Sequence, residues 1–381
     1  MEPQEELLAW AEEKGITLDG IRPQPFPGRG IGIITTRKIK PGELLLEVPT
    51  ACLRTLETVP RSITSKLPRD MSVHGLLAAE LALDKTAKHA KWNAVMPTRA
   101  DLAGMPLVWP AEMQALLPAA AAELLRKQRG KLARDWAAVS AAYPSSLAED
   151  DYRYAWLLVN TRTFYHVTPR TERLRRDDHM VLQPVADLFN HADAGCAVAF
   201  DEDSFSIRAD RAYAKGEEVH ICYGRHSNDF LLAEYGFVLL PSASPDGHTP
   251  NRWDEARLDE AVLPELTARQ RQMLEEASFL GGYVLDAETV CHRTQVALRA
   301  MCVPLSEWRD FVDGTDDGER HQEKVDRLLV SLLRKYARTI DGKLASIDAL
   351  DVGEESQRAL LRTRWEQILA LVTGTIDRLT S

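Results

Sequence analysis

Cysteine is scarce in this chain and carries no pattern. Cys52, Cys196, Cys222, Cys291 and Cys302 are spread over 381 residues with no CxxC between them. An odd number without a framework excludes a disulfide-stapled fold and reads as reduced thiols, so cytoplasm or nucleus is the expected setting. Long apolar runs are missing too: none approaches the ~20 residues of a membrane span. The acidic opening MEPQEELLAWAEEKG fits a short amphipathic helix and lacks the features of a signal or transit peptide. Positive charge is in deficit, with 47 Lys and Arg against 57 Asp and Glu and a net charge of −10. Without a basic stripe, direct binding of a nucleic-acid backbone is not expected. An acidic chain suits small cationic ligands or lysine-rich protein surfaces instead. Nor is there an HExxH, an HxH or a GxSxG elbow, which removes the common zinc-protease and serine-hydrolase signatures.

What is present is an ordinary globular composition, 45% hydrophobic and 27% charged, long enough for two domains. After the N-terminal helix, expected within residues 1–21, comes a Pro-rich crossing, IRPQPFPGRG. Then IGIITTRKI and ELLLEVP flank KPG, and their β-branched alternation around a turn predicts two paired strands. Residues 61–150 have helical composition, including Leu76, Leu77 and the Ala-rich run 119–142, with Trp92 and Trp109 as core anchors. Strand signals return in HMVLQPVADLF, CAVAFDEDSFSIRAD and GEEVHICYG. PSASPDGHTPNRWDE reads as a linker centred on Pro241–Pro250. Beyond it two apolar stripes, Val325, Leu328, Leu329, Leu332 and Tyr336, then Leu361, Trp365, Ile368, Leu369 and Val372, predict long amphipathic helices. The fold class is α+β: a β-rich domain over 22–240 with a helical insertion, then an all-helical domain over 252–381.

The stretch LQPVADLFNHADAGC concentrates chemistry-bearing residues. Asp187 and His191 could share a helix face, and His220 and Cys222 a strand face, and from these four could come the three protein ligands that a catalytic zinc needs. No spacing fixes that geometry. Asn190 is equally suited to a left-handed turn. Gly30 and Gly32 form a GxG with no phosphate-cradling helix after it, so a dinucleotide fingerprint is not supported. The order of three segments is more specific: GRGIGIITTRKIKPGELLLEVP, then LFNHADAGC, then GEEVHICYGRHSNDFLLAEYGF.

In that order the chain resembles the SET-domain protein methyltransferases, and more narrowly the RuBisCO large-subunit lysine methyltransferase class. The resemblance covers most of the chain, and CHRTQVALR and RWEQI sit where the class has similar C-terminal segments. It implies one S-adenosyl-L-methionine per chain, with S-adenosyl-L-homocysteine as product, and no metal, since no cysteine cluster follows the SET region. Arg29, Gly30, Ile31 and Gly32 match the segment whose backbone meets the cofactor. Arg162 in NTRTF falls where an arginine faces the methionine carboxylate, for which a planar guanidinium is suited. Asp187, Leu188, Phe189, Asn190 and His191 match the family's DxxNH core at the adenosine end. Ala192 departs from the usual serine, which removes one hydroxyl. Tyr223 in ICYG matches the catalytic tyrosine, and Tyr235, Gly236 and Phe237 in EYGF match the channel wall.

The implied activity is methyl transfer to a lysine amine of a non-histone protein, by a monomer without membrane contact, with the C-terminal module engaging substrate. A protein-histidine methyltransferase and a non-catalytic SET-fold peptide-binding module are the alternatives. Retention of Tyr223, Arg162, Asn190 and His191 argues against the second.

Overall fold

The computed structural model describes residues 2–144, 146–167, 171–240 and 251–381. The linker expected at Pro241–Pro250 lies outside the described residues. Two compact units divide the chain: Met1–Ala103 with Arg126–Arg225, and Gly104–Leu125 with His226–Ser381. These units do not follow the linear boundaries at 240 and 252, because part of the helical insertion and residues 226–240 group with the C-terminal helices.

In the first unit, helix α1 (Pro3–Glu13) buries Leu7 and Ala11. Nine strands follow: β1 (Thr17–Leu18), β2 (Ile21–Phe26), β3 (Gly30–Thr35), β4 (Leu44–Pro49), β5 (Thr163–Tyr165), β6 (Met180–Leu182), β7 (Asn190–Phe200), β8 (Ser204–Arg208) and β9 (Glu218–Ile221). Seven of them form one sheet in the order β1-β4-β8-β7-β9-β3-β2, while β5 and β6 pair separately. Thr17 and Leu18, expected in the N-terminal helix region, instead add an edge to this sheet against Glu47 and Leu46.

Two expectations about strands need correction. The segments flanking KPG do not pair with each other. β3 takes β2 and β9 as partners, and β4 takes β1 and β8. The turn therefore sends the chain across the sheet, and its flanks are tied to later residues: Gly42 N–H donates to Ala209 and Gly216 N–H to Thr35. The Pro-rich crossing is itself a strand, β2. It tolerates Pro23 and Pro25 because it is a sheet edge. Two residues apart, both prolines direct their missing N–H to the same side, away from the ladder with β3.

The insertion supplies α2 (Val73–Leu83), α3 (Ala119–Ala142) and α4 (Glu149–Arg162). Ser72 caps α2, accepting from Gly75 N–H at 2.9 Å. Trp156 on α4 is fully buried, with its indole N–H on Asp135 of α3 at 3.0 Å.

The second unit holds α5 (Asn228–Tyr235), the antiparallel pair β10 (Glu255–Arg257) and β11 (Val284–Asp286), and helices α6 (His292–Cys302), α7 (Gln322–Asp348) and α8 (Glu355–Thr380). The two expected stripes fall on α7 and α8, with Val325, Leu329, Leu332 and Tyr336 buried on one and Leu361, Trp365, Ile368 and Val372 on the other. Their core also takes in Trp109, Met113, Leu117 and Leu125. Trp109 is thus an anchor for the C-terminal helices, not between insertion helices.

At its centre Arg364 of α8 is fully buried. Its guanidinium donates to Asp229 at 2.7 Å, Asp254 at 2.8 Å and the Glu255 carbonyl at 2.8 Å. Burial works against the charge, but the two aspartates outweigh it and raise the Arg364 pKa. Arg364→Met removes the only cation holding two buried carboxylates among the described residues. Urea unfolding should show a loss of about 3–5 kcal/mol, the usual cost of breaking a buried pair from one side. A loss under about 1 kcal/mol would mean the aspartates are not confined as described.

Candidate active site

The site in the first unit is organised by one parallel pairing. β7 lies parallel to β9 with Asn190 opposite His220 and His191 opposite Ile221. Asp187 and His191 therefore do not share a helix face. Asp187 sits in a 3-10 turn (Ala186–Leu188) and His191 in the strand that follows. Between His191 and Cys196, both opposite Ile221, the strand makes a four-residue excursion, Ala192–Gly195. Gly195 is needed there, since a Cβ would come within 2.6 Å of the His220 carbonyl oxygen.

The turn before β7 is strained. Val185 has φ 67° and ψ −43° while fully buried. Ala186 N–H closes a three-residue γ-turn onto the Pro184 carbonyl at 2.8 Å. A β-branched residue in that conformation persists only where its surroundings hold it. Here the surroundings are a buried polar cluster. Trp92 N–H donates to Asp187 Oδ2 at 2.8 Å, and Arg54 stacks over the Trp92 ring at 5.0 Å while donating to Asn93 at 2.9 Å. Arg162, at the C-terminal end of α4, donates to the Asp187 carbonyl.

This arrangement turns the Asp187, Leu188 and Phe189 side chains inward, with at most 5% exposed. Burial drives the Asp187 carboxyl up to about 6, against the pull of Arg162 and the Trp92 hydrogen bond.

Asn190 leads to the second cluster. Its amide donates to Glu218 Oε1 at 2.9 Å, and Arg29 meets Glu218 Oε2 at 2.9 Å. His220 lies 3.5 Å from the same carboxylate. Burial raises the Glu218 pKa, but these three partners prevail and hold it at about 2. Glu218 was not singled out from sequence. Its signal is the alternation Glu218-Val-His220, which puts both side chains on the strand face next to Asn190.

The two glycines of the GxG have different jobs. Gly30 has φ 71° with open space where a Cβ would be. Gly32 has no such φ; a Cβ there would stand 2.6 Å from the Asn190 amide, 2.8 Å from Phe26 and 2.9 Å from Glu218. Gly32 thus lets β3 lie flush against Asn190.

Tyr223, just beyond β9, is fixed at both ends. Its backbone N–H donates to His191 Nδ1 at 3.0 Å, and its hydroxyl donates to the Phe189 carbonyl at 2.7 Å. Because Nδ1 accepts, the neutral ring carries its proton on Nε2. Burial pushes the Tyr223 phenol above its ordinary 10, with Arg162 opposing. The residues once weighed as metal ligands are turned elsewhere: Asp187 to Trp92, His191 to Tyr223, and Cys222 to the Gly224 carbonyl at 3.3 Å.

Tyr235, Gly236 and Phe237 belong to the second unit. Gly236, with φ 78°, ends α5 by donating to the Leu232 carbonyl. It packs so tightly that a Cβ on Gly104 would meet its oxygen at 2.2 Å. The Tyr235 and Phe237 rings are 6.2 Å apart, and His226 stacks on Phe230 at 4.0 Å.

The fold and these motifs define a SET domain. The SET-domain family model matches residues 30–224, just over half of the chain, which belongs to that family and is a methyltransferase. A second match, to the C-terminal domain of ribosomal lysine N-methyltransferase 2, covers residues 256–378. SET domain-containing protein 4 of Mus musculus is 27% identical, over 96% of this chain and 89% of its own. Ribosomal lysine N-methyltransferase set11 of Schizosaccharomyces pombe is 24% identical, over 87% of this chain and 86% of its own. The structure of the SET domain of LSMT bound to MeLysine and AdoHcy superposes with a TM-score of 0.67 at 15% identity, covering 100% of this chain and 92% of that one. The expected family and fold class are thereby established.

The raised Asp187 pKa has a stability consequence. Its folded value, about 6, exceeds the ordinary 3.8. The stabilisation owed to the neutral carboxyl is therefore complete below about pH 4 and lost as pH rises through 6. Asp187→Asn keeps an acceptor for Trp92 without the charge. Its stability relative to wild type should improve by about 3 kcal/mol between pH 4 and pH 8. Chemical denaturation at both pH values checks this; an unchanged difference refutes it.

Proposed function

We propose that the chain binds S-adenosylmethionine against Gly30–Gly32, Arg162 and Asn190–His191, and transfers its methyl group to the side-chain amine of a protein lysine. The observation that carries this is the convergence of the Tyr223 hydroxyl, the Phe189 carbonyl and the Arg162-held Asp187 carbonyl. The fit to the cofactor rests on two features. Arg162 is half-buried and spends one donor on Asp187, leaving the rest of its fork for a carboxylate. Gly30, two residues before the flush contact at Gly32, has open space where a Cβ would stand, so no side chain obstructs the main chain there. Asp187, Leu188 and Phe189 contribute through their backbone.

When bound, S-adenosylmethionine supplies a methyl on a sulfonium that a neutral amine can displace directly. A lysine amine at pH 7 must first lose a proton, at a cost of about 4–5 kcal/mol. A poorly solvated channel lowers that cost. Tyr223 is a neutral phenol, so its proton stays on the phenol oxygen, donated to the Phe189 carbonyl, and its oxygen lone pairs accept an amine N–H. That orients the nitrogen lone pair for attack, an alignment role rather than general-base action. As the N–C bond forms, the C–S electron pair stays on sulfur, and the surplus amine proton leaves to solvent.

For the substrate, we propose a lysine-rich protein other than histone packaged on DNA, with ribosomal proteins the first class to try. The net charge of −10 suits a basic partner. The match of residues 256–378 to a ribosomal lysine methyltransferase domain supports the same class. The helical region is assigned to docking it, with the enzyme acting as a monomer in cytoplasm or nucleus, where five free thiols are stable.

Tyr223→Phe should lose most turnover at unchanged affinity for S-adenosylmethionine, read by single-turnover kinetics and calorimetry. Near wild-type turnover would remove Tyr223 from the chemistry. Arg162→Ala should weaken cofactor binding by about 1.5–3 kcal/mol, a charge-assisted hydrogen bond. Unchanged calorimetric affinity would remove Arg162. Mass spectrometry of products from purified ribosomal proteins identifies the acceptor; methylated histidine in place of lysine would overturn the assignment.

A further inference from the structure

We propose that the first unit carries a second ligand site, separate from the residues assigned to methyl transfer, for a small carboxylate with an apolar body. A cavity of about 760 Å³ opens between α2, the short helix Ala90–Asn93 and α4. Leu81, Met96, Ala155 and Leu158 give it an apolar lining, the last three of them buried. Every lining residue lies within the first unit. Size and lining are those of a small-molecule pocket, apolar with a few placed polar groups.

Those polar groups divide into the spent and the free. Arg99 donates to the Asp150 carbonyl at 2.8 Å and to Asp151 at 2.5 Å, and lies over the Tyr154 ring at 4.7 Å. Tyr154 donates its hydroxyl to the Pro97 carbonyl at 2.6 Å. Lys85 has neither a hydrogen bond nor an ion pair among the described residues. With Arg99 offset by Asp151, Lys85 is the uncompensated charge of the lining. Asn93 is half spent. Its Oδ1 accepts from Arg54 at 2.9 Å, while its Nδ2 has no partner among the described residues.

Water alone satisfies an unpaired lysine on an open surface. Lys85 differs in standing at an apolar cavity that also presents the Asn93 amide. An ammonium and an amide N–H call for the same group, an anion with acceptor oxygens, and a carboxylate answers both. Its apolar body then covers the lining. Asn93 also ties the cavity to the turn at Asp187. Among the described residues it is the only hydrogen-bond acceptor of the buried Arg54 side chain, whose Nε and Nη2 have none. Arg54 stacks on Trp92, and Trp92 holds Asp187. A carboxylate on Nδ2 polarises the amide and strengthens Oδ1 as an acceptor, so occupancy tightens that support.

The test uses octanoate and octylammonium, one tail with opposite heads, titrated calorimetrically into the full-length protein. Octanoate should bind once per chain with Kd on the order of 0.1–1 mM, and octylammonium at least about tenfold more weakly. Asn93→Asp keeps an acceptor for Arg54 and turns the free donor into a carboxylate oxygen. Lys85→Glu reverses the charge at an exposed position. Each should weaken octanoate at least about tenfold without lowering the melting temperature, and Lys85→Glu should reverse the preference between heads. Exchange of the Trp92 indole N–H, followed by NMR, should slow on saturation with octanoate. Absence of saturable binding up to about 10 mM, ten times the weakest Kd expected, overturns the site. So does equal affinity for both heads, or unchanged octanoate affinity in either folded variant. Unchanged indole exchange at saturation overturns the link to Asp187.

Discussion

The first unit depends on a single parallel register, in which Asn190 faces His220 and His191 faces Ile221. Sliding β7 by one residue would carry Asn190 away from Glu218 and put the His191 ring on the opposite face of the sheet. The His191–Tyr223 hydrogen bond would go with it, and so would the seat of the Tyr223 hydroxyl on Phe189. Register on this scale is seldom fixed by backbone bonds alone. Here Gly195 and Gly32 permit close approach on either side, so only one alignment lets the strands touch without collision.

Opposite electrostatic arrangements flank that register. Glu218 keeps its charge because three donors surround it, while Asp187 tends toward its neutral form because burial outweighs Arg162 and Trp92. The first fixes side chains and the second fixes a backbone turn. Val185 can hold an unfavourable γ-turn because Asp187 is pinned on one side by an indole and on the other by a guanidinium. The strain is borne by a residue that is itself fully buried.

How much of this was legible in the sequence depended on range. The order of GxG, LFNH and ICYG segments located the β-rich unit, and the 3.6-residue stripes located α7 and α8, because both are local patterns. A Pro-Gly turn ordinarily makes a hairpin, but here the arms β3 and β4 are each claimed by a strand more than 150 residues later. β2 was overlooked because proline argues against strands everywhere but at an edge. The partnerships of Glu218, Trp92 and Arg364 are not legible because their partners, Asn190, Asp187 and Asp229, lie 28, 95 and 135 residues away. No window of sequence contains such a pair.

The discontinuous second unit also bears on how the chain is made. Trp109, Met113, Leu117 and Leu125, with Ala121, complete a core whose other members start at Leu232 and run to Val372. During synthesis these side chains emerge well before any helix that covers them. At translation speeds of roughly 5–20 residues per second, they stay uncovered for many seconds. The nascent protein therefore passes through a stage in which an apolar face in its middle must be sheltered by chaperones or by transient contacts.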